Sequence, residues 1–584
     1  MKAQAKVSEL RQALMATAPK GWLALLFGGV ASLLMLAPSV YMLEVYDRVV
    51  NSRDHVTLVM LTVLVLGAFI TMQVLEWVRS EVLREGAEQF DRTLSNRVFG
   101  AMFTARIRQQ AGGTTQVMQD LRTLREFFYS GVPAALVDIP AAFVFLLVVF
   151  WASPVLGWVT VMVGLLQALL ARMNERRTQP PLKRANDMAA ASRQYAEAAM
   201  TNAEVVESMG MLGALRQQWL KRQQAFLDLQ AQASDAAGRY QSMSKMVQLV
   251  MGSLLLGLGA YLLLRGELNG GSGMMIVASI LGGRVLAPIT ALIGQWRLVV
   301  NFRDAWGRLE RLLQDVPLDP RGMPLPPPKG QLTVEGVIAM SPGRQQTLLR
   351  GVQFQLAPGE VLAVVGPSAS GKTTLARLLV GVWPSMGGKV RLDGADVYTW
   401  SKDELGPYVG YLPQGVELID GTVAENIARF AQPDMERVRQ AVKSVGLDEL
   451  IEALPNGYDT LLGRSGHMLS GGQRQRLGLA RALYGQPSLV VLDERNSSLD
   501  EAGDAALALA IAQLKVMGTT FVVITHRTSV LKVADKMLVL KDGQQQHFGA
   551  TADVMNALRN AQAAPTSVAM PAAPSLISPQ VKNT

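Results

Sequence analysis

Two glycine-rich stretches, "GPSASGKT" at 366–373 and "LSGGQRQR" at 469–476, are each suited to holding phosphate on backbone N–H groups. In the first, the glycines let successive N–H groups converge on an anion. Lys372 has the reach for β- and γ-phosphates, and the Thr373 hydroxyl is a ligand for Mg²⁺. A helix starting near Gly371 adds its positive N-terminal end. The run "EVLAVVG" before the loop and "GKTTLARLLVGV" after it supply the strand, loop and helix that such a cradle requires. A third stretch, "SLVVLDE" at 488–494, reads as a buried strand ending in two carboxylates. Strand neighbours point to opposite sides, so Asp493 and Glu494 serve different atoms. Asp493 suits the outer ligand shell of Mg²⁺, and Glu494 suits polarising an attacking water. Gln414 in "YLPQ" and His526 in "VVITHR" carry little meaning alone.

Composition limits what surrounds these residues. The chain has 584 residues, 49% of them hydrophobic, and nearly all long apolar runs lie before residue 300. Zero cysteines exclude disulfides, thiolate metal sites and a cysteine nucleophile, and four histidines leave little room for a histidine-rich metal site. The net charge of +9 sits between apolar spans and not in one basic patch. That pattern fits a membrane protein with basic cytoplasmic loops and argues against a nucleic-acid partner.

The apolar runs come in pairs. Trp22–Leu43 and Val56–Val78 flank "EVYDRVVNSRD"; Met246–Leu264 and Gly273–Trp296 flank "RGELNGGSG". Between them, Ala134–Ala171 is 38 residues long with one charge, Asp138. A crossing needs about 20 apolar helical residues, so this run holds two, breaking at "WASP", 151–154. Six spans result. Lys and Arg number four in 1–20, eight in 79–131 and eleven in 172–245, against Arg48, Arg53 and Arg265 in the short turns. Basic loops stay in the cytoplasm, so both termini are expected there. Leu83, Phe90, Leu94, Val98 and Met102 recur at helical spacing, and 183–245 is similarly helical, so the spans are expected to run on into the cytoplasm. Arg284 in the sixth span and Asp138 in the third are costly in lipid and are expected to face a cavity or a partner. Both are candidates for a translocation path; Asp138 is expected either to pair with Arg284 or to cap local structure before Pro140.

The stretch "DVPLDPRGMPLPPPKG", 315–330, has six prolines and reads as an extended linker. The expected divisions are a cytoplasmic N-terminal segment at 1–20, a six-helix transmembrane domain at 21–314, this linker, a nucleotide-binding domain at 331–560, and a disordered Ala/Pro/Ser tail at 561–584. Apolar runs alternating with helix-like ones after residue 330 predict a parallel sheet with helices on its faces.

"GPSASGKTT", "YLPQ", "LSGGQRQRLGLARAL", "VVLDE", "SSLD" and "ITHR", in this order and spacing, resemble ABC-transporter ATPase domains across 331–545. The fold class implied is a helical six-span transmembrane domain with long cytoplasmic helix extensions, fused to an α/β P-loop ATPase domain. "YMLEVYDRVV", "GRVLAPI", "ARLLVGVWPSMGGKVRLDGADV" and "ELGPYVGYLPQGVELIDGTVAENIARF" are similar to the PrtD-type ATPase/permease of bacterial type I secretion. The resemblance implies ATP and Mg²⁺. ATP would be held by Gly366, Pro367, Ser368, Ala369, Ser370, Gly371, Lys372, Thr373 and Thr374, and the metal by Thr373, Gln414 and Asp493. Glu494, His526 and Gln414 would be catalytic. Ser470, Gly471, Gly472 and Gln473 would bind the γ-phosphate of the nucleotide held by a second copy, with Asp500 contacting across the interface. The protein would thus be a homodimer with two shared sites.

The resemblance further implies export of unfolded proteins bearing C-terminal signals across the bacterial inner membrane. Partners would be a periplasmic adaptor (membrane fusion protein), an outer-membrane channel, membrane lipid and the secreted protein. The runner-up is export of a lipid, drug or peptide by the same engine. With about twenty residues before the first span, no N-terminal peptidase-like domain is expected. Two positions depart from the family: "VEGVIAMSPG" offers Met340 or an apolar neighbour where an aromatic usually stacks on adenine, and Arg495 stands where proline or alanine is usual.

Overall fold

A computed structural model describes residues 8–109, 112–318, 323–341, 346–463, 469–493, 501–525 and 527–563. The chain divides into two units, Met1–Arg106 with Gln110–Pro317, and Ile107–Gln109 with Leu318–Thr584.

Five helices of the first unit are long and apolar enough to cross a bilayer: Ala18–Glu44, His55–Ile107, Pro154–Thr201, Leu212–Leu264 and Gly271–Gly294. A pair bent by 43°, Gly131–Val137 with Ile139–Ala152, makes six if counted as one span. The long apolar run breaks within "WASP": Ser153 is extended (φ −163°, ψ 133°) and Pro154 opens the next helix, where its missing N–H costs nothing. Two helices of 53 residues rise about 80 Å each, far beyond the ~30 Å of a hydrocarbon core. The membrane-distal half of His55–Ile107 packs as ordinary protein. Phe90, Leu94, Val98, Ala101 and Ala105 form a stripe against Leu121 and Leu124 of Gln116–Tyr129, and Leu309 and Leu312 of Trp296–Asp315. In the apolar half of the same helix, Val59, Val63 and Ile70 are exposed. A lipid-facing surface has that character, since lipid tails are as apolar as the side chains they meet.

The third span is where expectation and structure part. Asp138 makes no side-chain cap to the helix it precedes. Its Oδ1 instead accepts from Arg79 Nη1 at 3.1 Å and from Ser32 Oγ at 3.0 Å. Neither the expected cap nor the pairing with Arg284 is found. The reason is position along the spans: Arg79, just past the apolar part of the second span, meets Asp138 at the bend in the third, whereas Arg284 lies mid-span. Arg284 is exposed, with Nη1 3.3 Å from Met35 Sδ.

In the second unit, a six-stranded sheet runs in the order Gln544–Ala550, Lys536–Lys541, Val361–Val365, Thr520–Ile524, Leu489–Asp493, Val409–Leu412. All its pairings are parallel except that of the first two strands. Its central strands are apolar on both faces, as a sheet covered on both sides must be. Leu489, Val491, Val522 and Ile524 pack with Leu375 and Ala376 of the helix Lys372–Leu379. Val490, Leu492, Phe521 and Val523 pack on the other side with Leu477, Leu479 and Ala480 of the helix Gly471–Leu483. A four-stranded antiparallel sheet, Thr347–Leu356, Leu332–Met340, Gly387–Leu392, Ala395–Asp396, was not anticipated. The last described helix, Thr551–Ala563, runs three residues into the stretch expected to be a disordered tail, a correction at 561–563. Residues 564–584 lie outside the described residues.

Candidate ATP site

The strand Val361–Val365 delivers the chain into the loop 366–371, and the helix Lys372–Leu379 leaves it. Two glycines make that turn possible. Gly366 (φ 155°) and Gly371 (φ 97°) have left-handed backbone, and a Cβ on them would lie 2.1 Å from Leu540 O and 2.6 Å from Leu349 Cδ2 respectively. Lys372 is 3% exposed. Its Nζ donates to Gly366 O and, at 2.7 Å, to Pro367 O, so it curls over the cradle whose phosphate it is placed to meet. Ser370 Oγ is buried with no hydrogen-bond partner among the described residues. A cradle that tolerates no Cβ, a buried ammonium on its rim and an unsatisfied hydroxyl together fit a phosphate chain. Thr373 and Thr374 follow in the first helical turn.

Asp493 ends the strand Leu489–Asp493 and is 1% exposed. It continues the odd-numbered set that faces the Lys372–Leu379 helix. Tyr411, on the neighbouring strand, lies on the same side. Burial, then the Asp493 carboxylate, raises its phenol above the ordinary value, while the nearby Arg377 charge acts the other way. The Arg377 guanidinium also stacks 4.7 Å from the Trp383 ring centroid. Sequence reading passed over Tyr411 and Arg377, although Tyr411 sits inside the quoted "YLPQ". Gln414, just beyond that strand, is exposed. Among the described residues no cluster of three or more His, Cys, Asp or Glu offers a metal cage. Mg²⁺ on a nucleotide needs none, because one or two protein oxygens and the phosphates suffice.

The second glycine-rich stretch opens the helix Gly471–Leu483. Ser470 caps it in a capping box: Gln473 N–H donates to Ser470 Oγ at 3.3 Å, and Ser470 N–H to Gln473 Oε1 at 2.8 Å. Ser470 and Gly471 are exposed at the positive end of the helix dipole. Within one chain this helix and the Lys372–Leu379 helix cover opposite faces of the sheet. One chain therefore does not close its two cradles on one phosphate. Glu494, Arg495, Asp500 and His526 lie outside the described residues.

A phosphate cradle on a parallel sheet, joined to a bundle of bilayer-length helices, defines an ATP-driven membrane transporter. The ABC transporter family profile matches residues 349–497, and that of the ABC transporter transmembrane region matches 22–285. The chain is 41% identical over 534 residues, 90% of its length and 91% of the relative's, to the type I secretion system ATP-binding protein PrsD of Rhizobium meliloti (strain 1021). It is 27% identical to the toxin RTX-I translocation ATP-binding protein of Actinobacillus pleuropneumoniae, over 86% of this chain and 71% of that one. The leukotoxin translocation ATP-binding protein LktB of Mannheimia haemolytica is 28% identical over the same shares. A solved bacterial Atm1-family ABC exporter with ATP bound has the same fold, with a TM-score of 0.77 over 94% of this chain and all of that one at 22% identity. The chain belongs to the ABC transporter family, within it to the type I secretion ATP-binding proteins, and is a multi-pass, ATP-hydrolysing exporter.

Proposed function

We propose that two copies of this chain bind two ATP–Mg²⁺ at their interface and drive unfolded proteins with C-terminal signals across the inner membrane. The phosphate chain of each ATP lies in Gly366–Thr374 of one copy and meets Ser470–Gln473 of the other. Thr373, Asp493 and Gln414 hold the metal, whose charge neutralises the phosphates. Glu494 polarises water, His526 and Gln414 hold it and the γ-phosphate, and Asp500 contacts the second copy. A periplasmic adaptor and an outer-membrane channel complete the route, with both termini cytoplasmic as the Lys and Arg distribution supports. Arg284, exposed in the sixth span, remains a candidate for the path. The observation that carries protein export is the 41% identity along nearly the whole of a type I secretion relative. The test is to co-express this chain with an adaptor, a channel and a candidate passenger encoded beside it. The passenger is expected in the medium only when this chain is intact; secretion without it would sink the reading.

A further inference from the structure

Arg429 is held where few side chains would choose to be. It follows the short helix Val423–Ile427, and both it (φ 59°) and Phe430 (φ 60°) have left-handed backbone. Such conformations cost about 1–2 kcal/mol per residue without a glycine and persist where the surroundings over-determine them. What the strain achieves is the aim of the guanidinium. It donates to five backbone carbonyls: Gly406 O at 2.7 Å, Arg481 O at 3.0 Å, Val409 O and Ala482 O at 3.1 Å, and Tyr484 O at 3.3 Å. Burial, then the neighbouring Arg481 charge, disfavours its cation, lowering its pKa from the ordinary value.

These acceptors fall into two groups. Arg481, Ala482 and Tyr484 are the C-terminal end of the helix whose other end is Ser470–Gln473, where orphan carbonyls and the negative dipole end favour a cation. Gly406 starts the turn before, and Val409 opens, the strand Val409–Leu412, which leads to Gln414. The helix touches that segment again further along. A Cβ on Gly478 would lie 2.6 Å from Val416 Cγ1 and 3.0 Å from Leu412 Cδ1, the residues on either side of Gln414. Arg481 Nη1 also donates to Glu417 O at 3.3 Å.

We infer that Arg429 is a positioning residue for ATP hydrolysis: it pins the far end of the Gly471–Leu483 helix to the strand that leads to Gln414, so that Ser470–Gln473 is presented in one place. This rests on the reading that Ser470–Gln473 completes the site of the second copy. The flat fork of the guanidinium is what spans two groups of acceptors; a lysine ammonium is a single point with three donors and serves one group at a time.

The test uses the full-length chain in its dimer, with Arg429→Ala, Arg429→Lys and Ser470→Arg. Arg429→Ala is expected to lower kcat for ATP by about tenfold, within the ~10²-fold that a misplacement near 1 Å produces. KM should stay within about twofold, because the cradle at 366–374 is untouched. Arg429→Lys should fall between parent and alanine, and it carries the same kcat-against-KM split should the alanine variant fold poorly. Millimolar methylguanidinium should restore Arg429→Ala and leave Ser470→Arg inactive, a rescue that general loosening of the fold would not show. Parental kcat in Arg429→Ala, a loss confined to KM, or absence of rescue, with Ser470→Arg inactive, overturns the proposal alone. Parental kcat in Ser470→Arg overturns the reading beneath it, and the proposal with it.

Discussion

Lys402 has its stem at the surface and its amino nitrogen turned inward, donating to Val397 O. Burial of that nitrogen lowers its pKa from 10.5 to about 8, against a smaller opposing pull from Asp396. Between those two values the unfolded chain binds more protons than the folded one, so stability attributable to Lys402 rises with pH across the window. It is complete above the unfolded value and lost as pH falls through about 8. Lys402→Met is expected to raise the melting temperature at pH 7 and to flatten its rise between pH 8 and 10.5. Amine acylation followed by mass spectrometry should show Lys402 half-reactive near pH 8; half-reactivity at 10.5 would refute the burial argument. At this scale the phosphate cradle was readable because its residues are contiguous and their turn chemistry is local. Asp493 was readable as the end of an apolar strand. Arg429 was not, because its partners are backbone carbonyls at 406, 409, 481, 482 and 484, which leave no mark in side-chain type.

Between elements, the ion pair of Arg79 and Asp138 ties the second span to the 43° bend in the third. The Arg79 side chain is 13% exposed and that of Asp138 36%. Removing one partner strands the other away from water, whereas removing both leaves an apolar contact. Asp138→Leu or Arg79→Met alone should each cost about 1–3 kcal/mol, less than the 3–5 of a fully buried pair. The double variant should be no worse than either single, as a double-mutant cycle in thermal unfolding would reveal. Additive losses would mean that the two charges act separately. From the sequence, Asp138 was expected to face a cavity or a partner, either pairing with Arg284 or capping local structure, because a lone carboxylate in lipid is costly; its pairing with Arg79 was not among these. The choice of partner depends on how the ends of neighbouring spans align. The spans and parallel strands were readable as long one-character runs. The antiparallel sheet was hidden in short strands interrupted by register shifts at Val334, Val337 and Ala339, which break the two-residue alternation.

The whole molecule must answer why one chain carries two glycine-rich stretches suited to holding phosphate. Leu489 and Val491 face the helix that follows one cradle, while Val490 and Leu492 face the helix that opens the other. A covered sheet thus separates them within a chain, and the exposed Ser470 end is free to meet something else. Under the proposed function, two copies related by a twofold axis would satisfy both ends at once, each giving its Ser470–Gln473 to the other's Gly366–Thr374. The chain's lack of cysteine makes this directly testable. Ser368 and Ser470 are both exposed, so Ser368→Cys with Ser470→Cys places the only two thiols of the chain on the two cradles. A disulfide forms only where the Cα atoms approach to about 4.4–6.8 Å. With ATP and Mg²⁺ present, mild oxidation of the double variant should yield a covalent dimer that reductant dissolves, while omission of ATP should reduce the yield several-fold. Each single variant should stay monomeric on a denaturing gel. A double variant whose thiols close within one chain, or stay free when ATP is bound, would rule out the shared site.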